Sequence, residues 1–261
     1  MLDPQTISTG VCSVSFRALS TDDIIGLARN SGLNGIEWGA DIHVPVGEPD
    51  LAGAVADATE AAGLRVLSYG SYWAAEDDDF PALLRTAVAL RAPRIRVWAG
   101  TVGSGEASEE YRSQVVRRLN DAAERAATQG VELGLEFHGG TLTDTVASTE
   151  RLLQDVGHPN VRTYWQPAID VEDAQALAGL DHLMQDVSTV HVFSWWPGTE
   201  RRPLAHREEL WSAAIERVLA SQNDHDLLLE FVPQDNPDHL ATEASTLHAL
   251  IAAAQSRRGP S

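Results

Sequence analysis

One feature constrains this chain more than any other: a repeated unit in which a short apolar run is followed by a capping residue, a helical pattern and a breaker. The first strand is expected over Thr6 to Val11. Ser20-Thr21-Asp22-Asp23 then offers an N-cap ahead of IIGLARNSG, which closes at Gly32. The second unit is NGIEWGADIHVP with the Ala-rich helix PDLAGAVADATEAAG. The third is LRVLSYGSYW with FPALLRTAVALRA, where Pro81 falls in the first helical turn and its missing N–H costs nothing. RIRVWAG and YRSQVVRRLNDAAERAATQG form the fourth unit, VELGLEFH and a helix from about Thr145 to Val156 the fifth. NVRTYWQP, stopped by Pro167, precedes VEDAQALAGLDHLMQ. DVSTVHVFSWW and a long basic loop, PGTERRPLAHRE, precede ELWSAAIERVLASQ, and DLLLEFVPQD precedes HLATEASTLHALIAAAQ. The residues from about 256 to 261, SRRGPS, read as a frayed tail.

Strands that alternate with helices pair in parallel, and eight such units close a barrel. The length of 261 residues suits one (β/α)8 barrel, so residues 1–261 are expected to form a single domain. An open doubly wound sheet is the structural rival, but TGVCSVSFRALST after the first strand contains no GxGxxG fingerprint.

The formal charge of −19 opposes the counterion release that drives binding to nucleic acid or to anionic lipid. No run of about 18 apolar residues occurs, and MLDPQTIST lacks the basic and apolar regions of a signal peptide, so export and membrane spanning are disfavoured. The single cysteine, Cys12, rules out an internal disulfide and fits a cytoplasmic setting.

In a closed barrel, functional groups gather at the C-terminal ends of the strands. Those ends hold Glu37, Asp41 and His43 after the second strand, Trp98 after the fourth, and Glu136 and His138 after the fifth. Trp165 and Gln166 end the sixth, His191, Trp195 and Trp196 the seventh, and Glu230 the eighth. Strand interiors are mostly Val, Ile and Leu, whereas the ends hold nearly all the tryptophans. Glu136, Gln166, His191 and Glu230 come from four successive strands at one height. They offer two carboxylates, an amide oxygen and an imidazole, an oxygen-rich shell suited to Mn²⁺, Mg²⁺ or Co²⁺. The alternative is a buried glutamate pair neutralised by His191 or by an arginine, although two acids in one low-dielectric cavity are costly without a cation.

These segments, together with GLNGIEWGADIHVP, LGLEFHGGTLTDT, VRTYWQP, VHVFSWW and LLLEFV, resemble the xylose isomerase-like TIM barrel superfamily, specifically its sugar phosphate isomerase/epimerase group, over nearly the whole chain. The resemblance implies one divalent metal, most simply Mn²⁺, held by Glu136, Gln166, His191 and Glu230, with the two glutamates acting as the catalytic acid/base pair. Members similar to this chain usually carry Asp where Gln166 stands, and the ketohexose epimerases a substrate-contacting His where Ile169 stands; His138 or His43 is a candidate for that second role. Asp41 and His43 form a DxH segment like one that contacts substrate hydroxyls in relatives. Glu37, Trp98, Trp196 and Arg201 complete the expected substrate site. Asp144 reads as a cap or turn residue.

The reading that follows is a metal-dependent isomerase or epimerase of a sugar or polyol-derived ketone, working by proton abstraction next to a carbonyl. A lyase on the same scaffold, a dehydratase or eliminase acting on a keto-sugar or keto-glycoside, is the alternative. The partner is a small carbohydrate. Relatives are often dimers or tetramers, which leaves a homo-oligomer open.

Overall fold

The computed structural model describes residues 7–258, apart from Gln222. Eight parallel strands close on themselves: β1 (Ile7–Cys12), β2 (Gly35–Gly39), β3 (Arg65–Gly70), β4 (Arg94–Val97), β5 (Glu132–Leu135), β6 (Val161–Trp165), β7 (Val187–Val192) and β8 (His225–Leu229). Closure comes from β1, which pairs with β2 on one side and β8 on the other. The helices α1 (Thr21–Asn30), α2 (Pro49–Ala61), α3 (Phe80–Ala89), α4 (Glu109–Ala127), α5 (Val146–Val156), α6 (Asp173–Leu183), α7 (Glu208–Ala220) and α8 (Leu240–Arg258) follow the strands in turn. Thr6, expected to begin the first strand, and residues 259–261 of the expected tail lie outside the described residues. Ser256 to Arg258 are helical rather than frayed, because the Arg257 guanidinium reaches Glu216 at 2.6 Å and Ser212 at 3.0 Å on α7. Among the described residues no helix is long and apolar enough to cross a membrane.

Successive strand side chains point alternately outward and inward. The outward set, including Ile36, Ile95, Val97, Leu133, Val190 and Leu229, fuses with the apolar faces of the helices into one core. The expectation that strand interiors are aliphatic holds for that outward set and for a small cluster inside the barrel, Leu67 and Leu228 with Cys12. The inward set is polar at the base and again at the mouth. At the base Arg94 donates to Glu132 at 2.6 Å, Thr189 at 2.7 Å and Asp226 at 2.8 Å. Above it lies the Tyr164 ring, which fits because its neighbour is Gly134; a Cβ there would collide with the ring.

Of the strand-end tryptophans, Trp98 and Trp195 line the mouth as expected, whereas Trp38 and Trp165 face outward. Trp38 donates to Thr59 on α2 at 3.2 Å, and Trp165 packs edge-on against Trp211 of α7. The alternation forces this, since each directly neighbours an inward polar residue, Glu37 or Gln166. The seventh strand is shorter than expected. It ends at Val192, and Ser194–Trp195 pairs antiparallel with Arg201–Arg202, so that the long basic loop closes on itself as a two-residue ribbon.

Candidate active site

The inward residues at the C-terminal end of the barrel form one connected polar cluster. Glu136, Gln166 and Glu230 stand directly after β5, β6 and β8, and His191 is within β7. The backbone continues to anchor two of them: Glu136 N–H donates to the Val97 carbonyl at 3.0 Å, and Glu230 N–H to that of Val192 at 3.2 Å. His191 Nδ1 lies 2.8 Å from Gln166 Oε1, 3.4 Å from Glu230 Oε2 and 3.8 Å from Glu136 Oε1. The four residues that the sequence placed at one height therefore converge.

Two further residues tie this cluster to the barrel interior. Arg96, only 2% exposed, donates through Nε to Glu37 at 3.1 Å and through its NH1 group to Glu136. Glu37 also accepts from Ser68 at 2.7 Å and Tyr164 at 3.0 Å. Gly70 makes the close approach possible, since a Cβ there would stand 2.7 Å from Glu37 Oε1 and 2.9 Å from Arg96. Arg96 was not among the expected site residues. Its signal was present: in RIRV the two arginines share one face of a strand that alternation turns inward.

The carboxyl groups are not equivalent. Burial pushes Glu136 up, but the charges of Arg96 and His191 and a 2.7 Å hydrogen bond from Trp98 bring it below the ordinary carboxylate value. Glu37 is likewise lowered against its burial, chiefly by Arg96. Glu230 is raised, because burial dominates and the Glu136 charge adds to it. Burial and the neighbouring glutamates also push the Cys12 thiol well up, so it stays protonated.

A divalent cation fits this arrangement on three counts. Ligand atoms of Glu136, His191 and Glu230 lie within 4.8 Å of one another. Three buried carboxyl groups, Glu37, Glu136 and Glu230, face one guanidinium, so with the His191 imidazole neutral the ionised cluster leaves two negative charges for a dication to balance. His191 Nε2 is buried, has no hydrogen-bond partner among the described residues, and faces Glu37 Oε1 at 3.9 Å. With its proton on Nε2, directed toward Glu37, the imidazole offers Nδ1 as a ligand, the usual way a carboxylate orients a metal-bound histidine. A second grouping, Cys12 with Glu37 and His191, is poorer because its thiol is protonated. The sequence alternative, a glutamate neutralised by arginine, holds for Glu136 and Glu37; Glu230 is left to His191.

The cluster forms the floor of a cavity of about 540 Å³ whose walls include Tyr72, Trp98, His138, Ile169, Trp195 and Phe231. His138 stacks on Trp98 with ring centroids 4.6 Å apart, and its Nδ1 lies 2.7 Å from the Gly139 carbonyl. Asp144, expected as a turn residue, also lines this cavity. Other expected substrate residues lie elsewhere. Glu37 is beneath the floor. Asp41 pairs with Arg17 on a separate rim depression. His43 is buried between Ser13 Oγ at 3.0 Å and the Leu19 carbonyl at 3.3 Å. Trp196 lies beneath the Arg207 guanidinium, and Arg201 pairs with Asp235 over the Phe231 ring. A wider groove of about 860 Å³ runs between α3 and α4 but has no histidine in its lining and no acid–imidazole grouping.

Known proteins share this architecture. A curated protein of Bacillus anthracis, 3-dehydroshikimate dehydratase, is 28% identical over 182 residues, spanning 63% of this chain and 65% of that protein. The crystal structure of the probable 3-DHS dehydratase of petrobactin synthesis from the same organism superposes with a TM-score of 0.78 at 23% identity, over 93% of this chain and 99% of that one. An L-ribulose 3-epimerase gives a TM-score of 0.75 at 17% identity, covering 97% of each chain. A D-psicose 3-epimerase from Clostridium cellulolyticum gives 0.73 at 14%, over 95% and 99%. At these identities the solved structures speak for the fold. The family model for the xylose isomerase-like TIM barrel, however, matches residues 25–169, more than half of the 261 residues, and the chain belongs to that family.

Proposed function

We propose that the protein is a metal-dependent lyase, a dehydratase that takes a proton from the carbon next to a carbonyl and expels a β-hydroxyl from a small carbohydrate-derived ring, acting in the cytoplasm. The observation that carries the proposal is the convergence of Glu136, Gln166, His191 and Glu230 on the floor of the cavity with unequal carboxyl groups. Held by Glu136, Gln166, His191 and Glu230, a divalent ion such as Mn²⁺ would polarise the carbonyl and so acidify the neighbouring C–H.

The chain's own groups then divide the work. Glu230, which neither Arg96 nor Trp98 hydrogen-bonds, is the carboxylate free to take the proton. Glu136, pinned by Arg96 and Trp98, stays ionised and stabilises the site rather than shuttling a proton. His138 keeps Nε2 for a substrate hydroxyl, since Nδ1 faces the Gly139 carbonyl. The C–H and C–O bonds break, a C=C bond forms, and one water leaves with the proton that Glu230 took. One carboxylate free to move a proton suits an elimination. An epimerase needs two groups able to trade a proton across the substrate, and the pinning of Glu136 disfavours that exchange. The curated dehydratase supports the same choice, and it makes 3-dehydroshikimate, a cyclic keto acid, the first substrate to test. Loss of its β-hydroxyl leaves a ring that tautomerises to an aromatic dihydroxybenzoate, which draws the elimination forward.

The isomerase or epimerase of a sugar or polyol-derived ketone is the second reading, favoured by the family. The two are separated by stripping the protein with EDTA, restoring Mn²⁺, and offering 3-dehydroshikimate and ketohexoses in parallel. Appearance of the aromatic product by ultraviolet absorbance, dependent on Mn²⁺, is the expected result. Mass-neutral conversion of a ketohexose with dehydroshikimate untouched would replace the dehydratase with the epimerase. Elemental analysis should find close to stoichiometric divalent metal in the wild type and a large loss in Glu230→Gln.

A further inference from the structure

Neither Arg96 nor Trp98 fixes the Glu230 carboxylate as they fix Glu136, so its aim depends on the backbone that carries it. That backbone turns sharply just after the glutamate. β8 ends at Leu229, Glu230 N–H still donates to the Val192 carbonyl of β7 at 3.2 Å, and Phe231 then adopts a left-handed conformation with φ 53°. A bulky residue in that region is a costly exception, and such exceptions persist only where their surroundings hold them. The turn changes what the cavity receives: the two-residue period of a strand would send Glu230 and Phe231 to opposite faces, yet both line it.

Two sets of contacts hold this turn. On one side the Phe231 ring meets Trp195 with centroids 5.4 Å apart and lies 4.4 Å from the Arg201 guanidinium. On the β1 side the Phe231 N–H donates to Ser15 Oγ at 2.8 Å. That amide lies beyond the end of the ladder, because β1 pairs with β8 as far as Val11 and Leu229 and then leaves the sheet as the turn Ser13–Phe16. A backbone N–H in the interior needs an acceptor, and the buried Ser15 hydroxyl stands in for the strand carbonyl. Ser13, on the same turn, makes the matching bond on the other flank of β1, accepting from the N–H of Gly39 at the end of β2 at 2.8 Å.

We propose that Ser15 is a positioning residue for Glu230: its hydroxyl fixes the left-handed turn at Phe231 and thereby aims the neighbouring carboxylate at the cation and the reacting carbon. This rests on the proposed reaction only in giving Glu230 the proton, since the hold on the carboxylate acts before any substrate enters. Without the acceptor the Phe231 N–H is unpaired, the turn relaxes toward extended backbone, and Glu230 loses its register with His191.

The test reads Mn²⁺ affinity first, by calorimetry on the EDTA-stripped full chain, because that needs no substrate. Ser15→Ala should weaken Mn²⁺ binding by about tenfold, and Ser15→Thr, which keeps the hydroxyl, should restore it to within about twofold of the wild type. Ser15→Cys fills the same space with a weak acceptor and should fall between them, and it carries the test if the alanine variant does not fold. Ser13→Ala removes the other hydroxyl of the same turn. It should lower the urea midpoint yet leave Mn²⁺ affinity within about twofold, which separates aiming from general stiffening of the barrel. At saturating Mn²⁺, Ser15→Ala should also lower kcat for 3-dehydroshikimate by about tenfold with KM changed by less than about threefold. If the wild type turns over no dehydroshikimate, the dehydratase reading falls and the Mn²⁺ series alone decides this inference. Unchanged Mn²⁺ affinity in Ser15→Ala and Ser15→Cys, an equal loss in Ser13→Ala, or no Mn²⁺ binding by the wild type overturns it.

Discussion

Arg96 is the residue whose removal says most about the site. It is the only described arginine hydrogen-bonded to Glu37 and Glu136, and all three are buried. Breaking a buried ion pair from one side leaves uncompensated charge and costs about 3–5 kcal/mol. Arg96→Met should therefore lower stability by about that amount in EDTA, read from the urea midpoint, and by visibly less with Mn²⁺, because a dication offsets part of the exposed carboxylate charge. Equal losses with and without metal would mean that cation and arginine do not share one charge balance. A second residue-scale test is steric. Gly134→Ala places a methyl group against the Tyr164 ring inside a closed barrel, and overpacking of this kind costs about 1–3 kcal/mol, again read by urea denaturation. At this scale the sequence was legible for the four converging groups, because each follows a strand or lies near its C-terminal end, where the period could be counted. Arg96 was missed as a site residue although the period of RIRV turns it inward, and Asp144 was missed because the direction in which a loop carboxylate packs is not carried by periodicity.

At the scale of elements, local chemistry decided what could be read in advance. Ser20 accepts from Asp23 N–H at 3.2 Å, and Asp23 accepts from Ser20 N–H at 3.3 Å, a reciprocal cap that the S-T-D-D spacing already announced. Ser20→Ala should cost about 1 kcal/mol of stability without altering metal content, whereas an unchanged urea midpoint would show that α1 is held by packing alone. Thr145 caps α5 in the same way, accepting from Ser148 N–H at 3.3 Å. The ribbon of Ser194–Trp195 and Arg201–Arg202 was not legible. Its apolar run looked continuous with β7, and what ends the strand is tertiary: Arg201 pairs with Asp235 and lies over Phe231, drawing the loop back across the mouth. The outward tryptophans show the same limit. Position along a strand was correct for each, but a shift of one residue moves a side chain from the cavity to the helix layer.

Stability against acid is a property of the whole molecule, and one group outside the site gives it a testable signature. His225 opens β8, is 2% exposed, and lies 2.7 Å from Ser221 Oγ through Nε2. Burial, reinforced by the positive charges of Arg162 and Arg94, pushes its pKa down to about 4 from 6.5. The folded chain thus resists a proton that the unfolded chain accepts. Above pH 6.5 both forms are neutral and the histidine carries no pH-dependent penalty. As the pH falls from 6.5 toward 4, the unfolded state binds the proton first and stability declines; below about 4 both states are protonated and the decline from this group levels off. At 1.36 kcal/mol per pKa unit, the total is on the order of 3 kcal/mol. Carboxylates such as Glu76, lowered against its partial burial by hydrogen bonds from Tyr111 and Thr101, lose their stabilising contribution only as the pH falls through and below the carboxylate range, so the upper half of the window belongs mainly to histidine. His225→Gln should lower stability at neutral pH through lost packing, yet its urea midpoint should change less than that of the wild type between pH 6.5 and 5. Parallel curves for the two proteins across that interval would show that His225 is protonated in the folded barrel, and that burial at the foot of β8 does not exclude the charge.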